Sequence, residues 1–461
     1  MRKSFFLNVL SASLCLFSGC QNKSGDSDFL TWASTPPMGW NSWDCYGPTV
    51  TESEVKANAD YMAKHLKKFG WEYIVVDIRW YVENDKAHGY NEKDAIYVMD
   101  KYGRFLPSPV RFPSAAYGKG FKPLADYVHS KGLKFGIHIM RGIPVEAVKK
   151  NTPIAGSKAT AKDIYSTESQ CPWLKDMYTI VAGRDGAQEY YNSIFALYAS
   201  WGVDFIKVDD ISVPYHGTEI EMVRKAIDNT GLKIVFSTSP GETPIENAEH
   251  VKTHANIWRI IGDFWDNWPQ LKEHFEVCNR WSPHIGNGHF PDADMLPLGR
   301  IGIRAERGDN RMCQLSKDEQ ITLMSLFAVF RSPLMFGGNL PNNDAFTLSL
   351  LTNKEVLYIN QYSQHNKQLF RHDDLIAWVA EDPKTGDKFL AVFNVQDPSG
   401  SMPSDSAAIP VQLLQLGING TCTIKDVWSN KILGTFSKDF IPVIPRHGSG
   451  LYRISELIFE I

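Results

Sequence analysis

From about residue 37 to residue 340, short apolar runs alternate with amphipathic stretches, and this alternation most constrains the fold. It is typical of a parallel sheet whose strands are connected by helices. In the clearest unit, the capping box TESE at residues 51–54 begins a helical pattern that Gly70 ends, and the run YIVVDIRW follows at once. Eight apolar runs are predicted to be strands: MGWNSW, YIVVDIRW, KFGIHIM, VDFIKVDD, KIVFSTS, NIWRIIGD, HFPDADM and LMFGGN.

Eight such units predict a (β/α)8 TIM barrel, an α/β fold. An open, doubly wound sheet is the alternative, but no glycine-rich phosphate-binding motif follows the first strand. After about residue 365 the pattern changes to LIAWVAED, KFLAVFNV, VQLLQL, CTIKDVW and GLYRIS, separated by turn residues. We therefore predict a catalytic barrel at residues 35–364 and a C-terminal antiparallel β-sandwich domain at residues 365–461.

The N-terminus is typical of an export signal. Arg2 and Lys3 precede an apolar stretch, and the ending LFSGC resembles a bacterial lipobox in which Cys20 is lipidated. An ordinary signal peptide is the alternative. We expect a signal peptide at residues 1–19, a polar tether at residues 20–34, and an exported protein anchored by Cys20 to a bacterial cell-envelope membrane, in the periplasm or at the cell surface.

Charge and cysteine content exclude several classes of protein. Loss of residues 1–19 removes two basic residues, so the net charge falls from -4 to -6, which is unlike that of a nucleic-acid-binding protein. Of the seven cysteines, five remain after Cys15 and Cys20 are set aside, and none has the spacing of a zinc site. We predict no disulfide framework, no metal and no cofactor.

Polar side chains end most of the predicted strands. In TIM barrels the chemistry lies at the carboxyl ends of the strands, so these residues are the candidates for a site. They are Trp43, Asp44, Asp77, His138, Arg141, Lys207, Asp209, Ser237, Ser239, Arg259, Asp263, Asp292 and Asp294. Carboxylates beside tryptophans suit a sugar, and paired carboxylates suit glycoside hydrolysis. Helix capping is the alternative role for any one aspartate, and we assign it to Asp44, Asp210 and Asp266.

Four motifs together resemble the α-galactosidase family of retaining glycosidases, glycoside hydrolase family 27. They are TPPMGWNSWDCYG, IKVDD, WRIIGDFWDNW and PDADML, and they keep their order over residues 35–460. The resemblance implies the same barrel and C-terminal β domain. It also implies that Asp209 is the nucleophile and Asp263 the general acid/base.

Further site roles follow from the same resemblance. It implies that Lys207 and Arg259 contact substrate hydroxyls, that Trp43 and Asp77 hold the sugar, and that Asp294 supports the site. An ion pair with an aspartate is the alternative for Lys207, and barrel packing is the alternative for Trp43.

The sequence also departs from the family at positions that face the sugar. Asp77 is followed by Ile78 where α-galactosidases have a second aspartate, which grips the galactose hydroxyls. An isoleucine suits a β-L-arabinopyranoside, which lacks the exocyclic CH2OH group, although plain barrel packing is the alternative for Ile78. His138 replaces a tyrosine, and Ser239 and Pro240 replace the segment that contacts the 2-hydroxyl. Away from the sugar, Ile211 replaces the cysteine that usually follows the nucleophile segment, so the family's local disulfide is not expected.

We therefore expect a retaining exo-glycosidase that removes terminal α-D-galactopyranosyl or isosteric β-L-arabinopyranosyl units from an oligo- or polysaccharide by double displacement. The alternatives are a dedicated β-L-arabinopyranosidase, an α-N-acetylgalactosaminidase and a non-catalytic carbohydrate-binding protein.

Overall fold

The computed structural model describes Met1 and residues 28–397 and 405–457. The predicted signal peptide beyond Met1, the lipidation site Cys20 and the tether up to residue 27 lie outside the described residues. Asp28–Ala33 form a short 3-10 helix, in which the Phe29 carbonyl accepts a hydrogen bond from Asn256 Nδ2 (2.9 Å). The chain is therefore already packed against the barrel before the first strand.

Eight parallel strands form the central sheet. They are β1 (Met38–Asn41), β2 (Tyr73–Val76), β3 (Lys134–Met140), β4 (Phe205–Asp209), β5 (Val235–Thr238), β6 (Ile257–Arg259), β7 (Phe290–Asp292) and β8 (Leu334–Phe336). Their hydrogen-bonded order is β7-β6-β5-β4-β3-β2-β1-β8. Each lies within one of the eight apolar runs predicted to be strands.

Leu296, which follows β7, connects the two edges of this sheet. Its N–H donates to the Met335 carbonyl (2.8 Å) and its carbonyl accepts from the Gly337 N–H (2.9 Å). The sheet therefore closes into a barrel, which confirms the predicted TIM fold.

One helix follows each strand outside the barrel. These helices are α1 (Glu52–Tyr61), α2 (Lys122–Ser130), α3 (Ala187–Trp201), α4 (Gly217–Asp228), α5 (Ala248–Lys252), α6 (Trp268–Trp281), α7 (Lys317–Phe330) and α8 (Ala345–Leu351), and α9 (Lys354–Tyr362) follows them. The capping box predicted at the start of α1 is present. Within the described residues, no helix is long and apolar enough to cross a membrane.

Three long connections leave the carboxyl ends of strands and build the rim of the barrel. Residues 77–121 connect β2 to α2, and residues 293–316 connect β7 to α7. Residues 141–186 connect β3 to α3 and contain the short strands Ile143–Pro144, Tyr165–Ser166 and Met177–Ile180 and the short helices Val145–Lys150 and Ala161–Ile164. These connections place side chains above the barrel mouth.

The C-terminal part is an antiparallel β domain, as predicted. Its main sheet has the order β9-β10-β11-β14-β12-β13. The strands are β9 (Gln364–His372), β10 (Leu375–Glu381), β11 (Lys388–Asn394), β12 (Cys422–Asp426), β13 (Lys431–Phe436) and β14 (Ser449–Glu456). Two short strand pairs, Ser406–Ala408 with Val443–Pro445 and Val411–Gln412 with Asp439–Phe440, complete it. Of the run VQLLQL only Val411–Gln412 is a strand, since Leu413–Leu416 form a 3-10 helix.

Candidate active site

A cavity of about 540 Å³ lies at the carboxyl ends of the barrel strands. Nine of the ten residues that the family resemblance and its departures place at the sugar line it: Trp43, Asp77, Ile78, His138, Lys207, Asp209, Arg259, Asp263 and Asp294. Because parallel strands in a barrel all end at the same face, residues far apart in sequence meet there. The cavity is large enough for a sugar ring and part of its aglycone.

His138 connects two buried carboxylates. It lies on β3, where its ring Nδ1 is hydrogen-bonded to Asp77 Oδ1, while its Nε2 lies 2.8 Å from Asp209 Oδ2. Asn41 Nδ2 donates to the other oxygen of Asp77 (2.7 Å). Asp77, His138 and Asp209 are all almost fully buried. Three neighbouring strands therefore contribute one continuous Asp–His–Asp chain.

The charges around this chain keep Asp209 ionised. Burial alone would raise the pKa of Asp209, but His138 and Lys207 lower it below the ordinary value. Asp77 likewise has a lowered pKa, because His138 and Lys207 outweigh its burial, and Lys207 Nζ lies 3.5 Å from Asp77 Oδ2. The pKa of His138 is raised, since Asp77 and Asp209 outweigh the burial that would lower it. The surroundings at the end of strand β4 thus favour the ionised form of Asp209 and the protonated form of His138.

Arg259 organises the opposite side of the cavity. It ends β6, and its Nη2 lies 2.6 Å from Asp294 Oδ1 while its Nη1 lies 3.3 Å from Asp263 Oδ1. Asp294 Oδ2 also accepts a hydrogen bond from the Phe264 N–H (2.7 Å). Asp294 therefore holds both the guanidinium and the backbone that follows Asp263.

The pKa of Asp263 is shifted in the opposite direction to that of Asp209. Its pKa is raised by burial, with further contributions from the negative charges of Asp294 and Asp209, while Arg259 and Lys207 oppose them. Its side chain is still 45% exposed at the mouth of the cavity. Two carboxyl groups whose surroundings push their pKa values apart suit an ionised nucleophile and a protonated acid.

Aromatic rings form the outer wall of the cavity. Trp43 lies 6.1 Å from Tyr90, and Tyr90 lies 6.4 Å from Trp173, as measured between ring centroids. Tyr90 and Trp173 come from the connections after β2 and β3, and Trp265 follows β6. Flat apolar surfaces of this kind stack on the CH faces of sugars and on aryl groups.

Comparison with known proteins identifies the family. The sequence matches the family model described as Alpha galactosidase A over residues 35–147 and 146–362, and the model described as Alpha galactosidase C-terminal beta sandwich domain over residues 372–454. The chain belongs to the α-galactosidase family, glycoside hydrolase family 27. It is therefore a glycoside hydrolase with a catalytic barrel and a C-terminal β sandwich.

Three relatives illustrate the range of this family. The crystal structure of a family 27 β-L-arabinopyranosidase from Geobacillus stearothermophilus is 49% identical with a TM-score of 0.90, over 94% of this chain and 99% of that one. A putative α-N-acetylgalactosaminidase from Bacillus halodurans is 48% identical with a TM-score of 0.83, over 92% and 98%. Alpha-galactosidase 2 from Arabidopsis thaliana is 28% identical, over 92% of this chain and 90% of the plant protein.

Four of the thirteen strand-end candidates in this family 27 chain, Arg141, Ser237, Ser239 and Asp292, are absent from the described lining of the cavity. Among the described residues that line the cavity, Ser239 is missing, whereas Pro240 and Gly241 are present. Ser239 is buried, and its backbone N–H and carbonyl bond to Val208 and Ile211. The wall near β5 therefore begins one residue later than the sequence predicted.

The three predicted helix-capping aspartates were also assigned wrongly. Asp210 forms an ion pair with Arg141 (3.0 Å), and Asp266 forms one with Arg311 (2.5 Å). Asp44 lines the cavity, and within the described residues its buried Oδ2 has no hydrogen-bond partner. Burial, together with Asp294 and Asp263, raises the pKa of Asp44 well above the ordinary value. Asp44 is therefore a carboxyl group of the site whose protonated form is favoured by its surroundings.

The sequence analysis did not find Tyr90, Trp173, Glu306 and Arg307, which also line the cavity. All four lie on long connections without apolar periodicity. The sequence could predict cavity-lining residues only at the carboxyl ends of strands.

Proposed function

We propose that this family 27 enzyme is a retaining exo-β-L-arabinopyranosidase, with weaker activity on α-D-galactopyranosides. The observation that carries the proposal is Ile78, an apolar side chain that lines the cavity directly after Asp77. A β-L-arabinopyranoside has the ring arrangement of an α-D-galactopyranoside without the exocyclic CH2OH group. Ile78 cannot hydrogen-bond the CH2OH group of a galactoside, and an arabinopyranoside has no such group.

Energetics support this preference. Ile78 is only 1% exposed, and its N–H donates to Asp77 Oδ1 (2.9 Å), so its position is tied to the sugar-binding carboxylate. A hydrogen bond to a charged group contributes about 1.5 to 3 kcal/mol, so its loss weakens galactoside binding about 10- to 150-fold. For an arabinopyranoside, the same isoleucine packs against CH groups and leaves no polar group unsatisfied. The 49% identity to a β-L-arabinopyranosidase agrees with this reading.

The proposed chemistry is a double displacement. Asp209 attacks the anomeric carbon, the glycosidic C–O bond breaks, and Asp263 gives its proton to the leaving oxygen. The resulting glycosyl ester on Asp209 is then attacked at the same carbon by water, whose proton passes to Asp263 as the ester C–O bond breaks. The raised pKa of Asp263 and the lowered pKa of Asp209 match these two roles.

The remaining side chains bind and orient the sugar in this proposal. Lys207 and Asp77 offer a donor and an acceptor 3.5 Å apart on the floor of the cavity. Arg259 stabilises charge on Asp263 when the acid has lost its proton. Because strand ends close the cavity from below, it accepts a terminal unit rather than the middle of a chain.

Kinetics on nitrophenyl glycosides test the substrate assignment. We expect the wild type to give a higher kcat/KM on the β-L-arabinopyranoside than on the α-D-galactopyranoside or the α-D-N-acetylgalactosaminide. Ile78→Asp should raise kcat/KM on the galactoside and lower it on the arabinopyranoside, while the control Ile78→Val should keep the wild-type order. A wild type that prefers the galactoside, with no change of preference in Ile78→Asp, would refute the proposal. Preference for the N-acetylgalactosaminide would instead support an α-N-acetylgalactosaminidase.

We also propose that the protein is exported and anchored through a lipid on Cys20. Support comes from the basic start, apolar stretch and LFSGC ending of the first 20 residues. Metabolic labelling with an alkyne fatty acid should mark the wild type and not Cys20→Ser. Equal labelling of both proteins would rule out this anchor.

A further inference from the structure

Elsewhere in the described chain, three metal-ligating side chains meet on the helices outside the barrel. Glu221 lies in α4, His250 lies in α5, and His254 follows α5. One ligand-capable atom of each lies within 4.8 Å of the other two. The cavity-lining residues of the described chain include none of the three, so the cluster is separate from the glycosidase site.

The two imidazoles are held on one face by their spacing. Residues four apart on a helical turn are neighbours, and the rings of His250 and His254 stack with centroids 4.3 Å apart and planes 25° apart. Glu221 approaches from the neighbouring helix, with Oε1 3.1 Å from His250 Nε2. An i, i+4 histidine pair facing a carboxylate is a compact set of three ligands.

Hydrogen bonds to the opposite ring nitrogens prepare both histidines for a metal. His254 Nδ1 lies 2.7 Å from the His250 carbonyl oxygen, which only accepts, so Nδ1 carries the proton and Nε2 keeps its lone pair. His250 Nδ1 lies 2.6 Å from the Tyr215 hydroxyl, which can accept the ring proton when a metal replaces the proton between Nε2 and Glu221. Metal-binding histidines usually have such a partner on the second nitrogen, because it sets the tautomer and the ring orientation.

We propose that Glu221, His250 and His254 bind one divalent transition-metal ion of the zinc type, with water in the remaining positions. Two imidazole nitrogens and one carboxylate oxygen suit zinc, whereas magnesium and calcium prefer oxygen ligands alone. The side chain of Glu221 is 55% exposed, so the site is open to solvent and the carboxylate is free to turn towards the ion. The ion would connect α4 to α5, the helices of two successive β/α units.

Isothermal titration calorimetry with zinc chloride tests the site, using the full chain without a polyhistidine tag. The wild type should bind one equivalent of zinc, and magnesium chloride should give no comparable binding. His254→Ala and Glu221→Gln should each abolish this binding or weaken it at least tenfold. Tyr215→Phe should weaken it by about tenfold, because it removes the partner of the His250 ring.

The neighbouring residue Glu249 provides a matched control. It lies on α5 beside His250, its side chain is 79% exposed, and it is outside the cluster. Glu249→Gln removes the same charge and should leave zinc binding unchanged. Zinc should also raise the thermal midpoint of the wild type and of Glu249→Gln, and not that of Glu221→Gln.

Glycosidase activity shows whether each variant is folded, since none of the substituted residues belongs to the cavity. If His254→Ala does not fold, the exposed Glu221→Gln carries the test alone. Absence of zinc binding by the wild type, or unchanged binding in Glu221→Gln, would overturn the proposal. Equal binding of magnesium would overturn the assignment to a zinc-type ion.

Discussion

The imidazole of His138 and the carboxylate of Asp209 are in direct contact, with Nε2 2.8 Å from Oδ2. The same ring is hydrogen-bonded through Nδ1 to Asp77, so one raised-pKa histidine serves two buried acids. The proposed nucleophile and the proposed sugar-binding carboxylate are therefore coupled through a single side chain. Replacement of that side chain should change both functions.

His138→Gln should move the acidic limb of the kcat/KM profile to higher pH. His138 is the largest influence that lowers the pKa of Asp209 against its burial, so loss of its positive charge raises that pKa. An opposite charge at this distance lowers a carboxyl pKa by about 1 to 3 units, so we expect a shift of about one unit or more. Measurement of kcat/KM from pH 3 to pH 8 checks it, with the exposed His372→Gln as control. An unchanged acidic limb would contradict the coupling.

Asp209→Asn and Asp263→Asn should differ in how they depend on the leaving group. Both should lower turnover of a natural glycoside by about three or more orders of magnitude, since each removes a group that takes part in bond making or breaking. With a dinitrophenyl glycoside, Asp263→Asn should recover much of the rate of the first step, because this leaving group departs without a proton. Asp209→Asn should recover none. Near-normal activity of either variant on the natural glycoside would refute its assignment.

The barrel and most of the site could be predicted from the sequence. Apolar runs locate β1 to β8, and the polar residue at the end of a run, such as Asp209 or Arg259, must face the mouth of the barrel. Ser239 shows the limit of this rule. It follows the last residue of β5, where the path of the chain rather than strand alternation decides which side chain faces the cavity.

The individual side chains at the rim of the site could not be predicted. Tyr90 and Trp173 lie in connections with no periodic pattern, and their positions depend on packing between distant loops. Asp44 and Asp210 are adjacent to predicted site residues, but only the structure shows that Asp44 lines the cavity whereas Asp210 is paired with Arg141. The cluster of Glu221, His250 and His254 was missed because its ligands come from two helices.

Trp173→Ala should lower kcat/KM for substrates with a large aglycone. The ring is 36% exposed at the rim and extends the aromatic wall beyond Tyr90. Loss of one stacking contact of about 0.5 to 1.5 kcal/mol corresponds to a decrease of about 2- to 12-fold, mainly through KM. The glycosyl fluoride, whose leaving group is too small to reach the ring, should be hydrolysed as by the wild type. Trp173→Phe keeps a ring and should lose less, whereas an equal loss on the fluoride would place Trp173 in a different role.

Arg141→Leu should destabilise the protein, and more strongly at pH 8 than at pH 5. Arg141 is buried and lies 3.0 Å from Asp210 Oδ2 and 2.9 Å from Glu219 Oε1. Burial already raises the pKa of Asp210 to about 6 and raises that of Glu219, although Arg141 opposes both shifts. Without the guanidinium the folded-state pKa values of both acids rise further above their unfolded-state values. The native state then binds more protons than the unfolded state, so its stability falls as the pH rises from the unfolded-state to the folded-state pKa.

Loss of one partner of a buried pair costs about 3 to 5 kcal/mol, which we expect at pH 8 and only in part at pH 5. Urea unfolding at pH 5 and pH 8 gives the two free energies of unfolding, and Arg141→Lys is the charge-preserving control. An equal loss of stability at both pH values would show that packing rather than charge accounts for the effect.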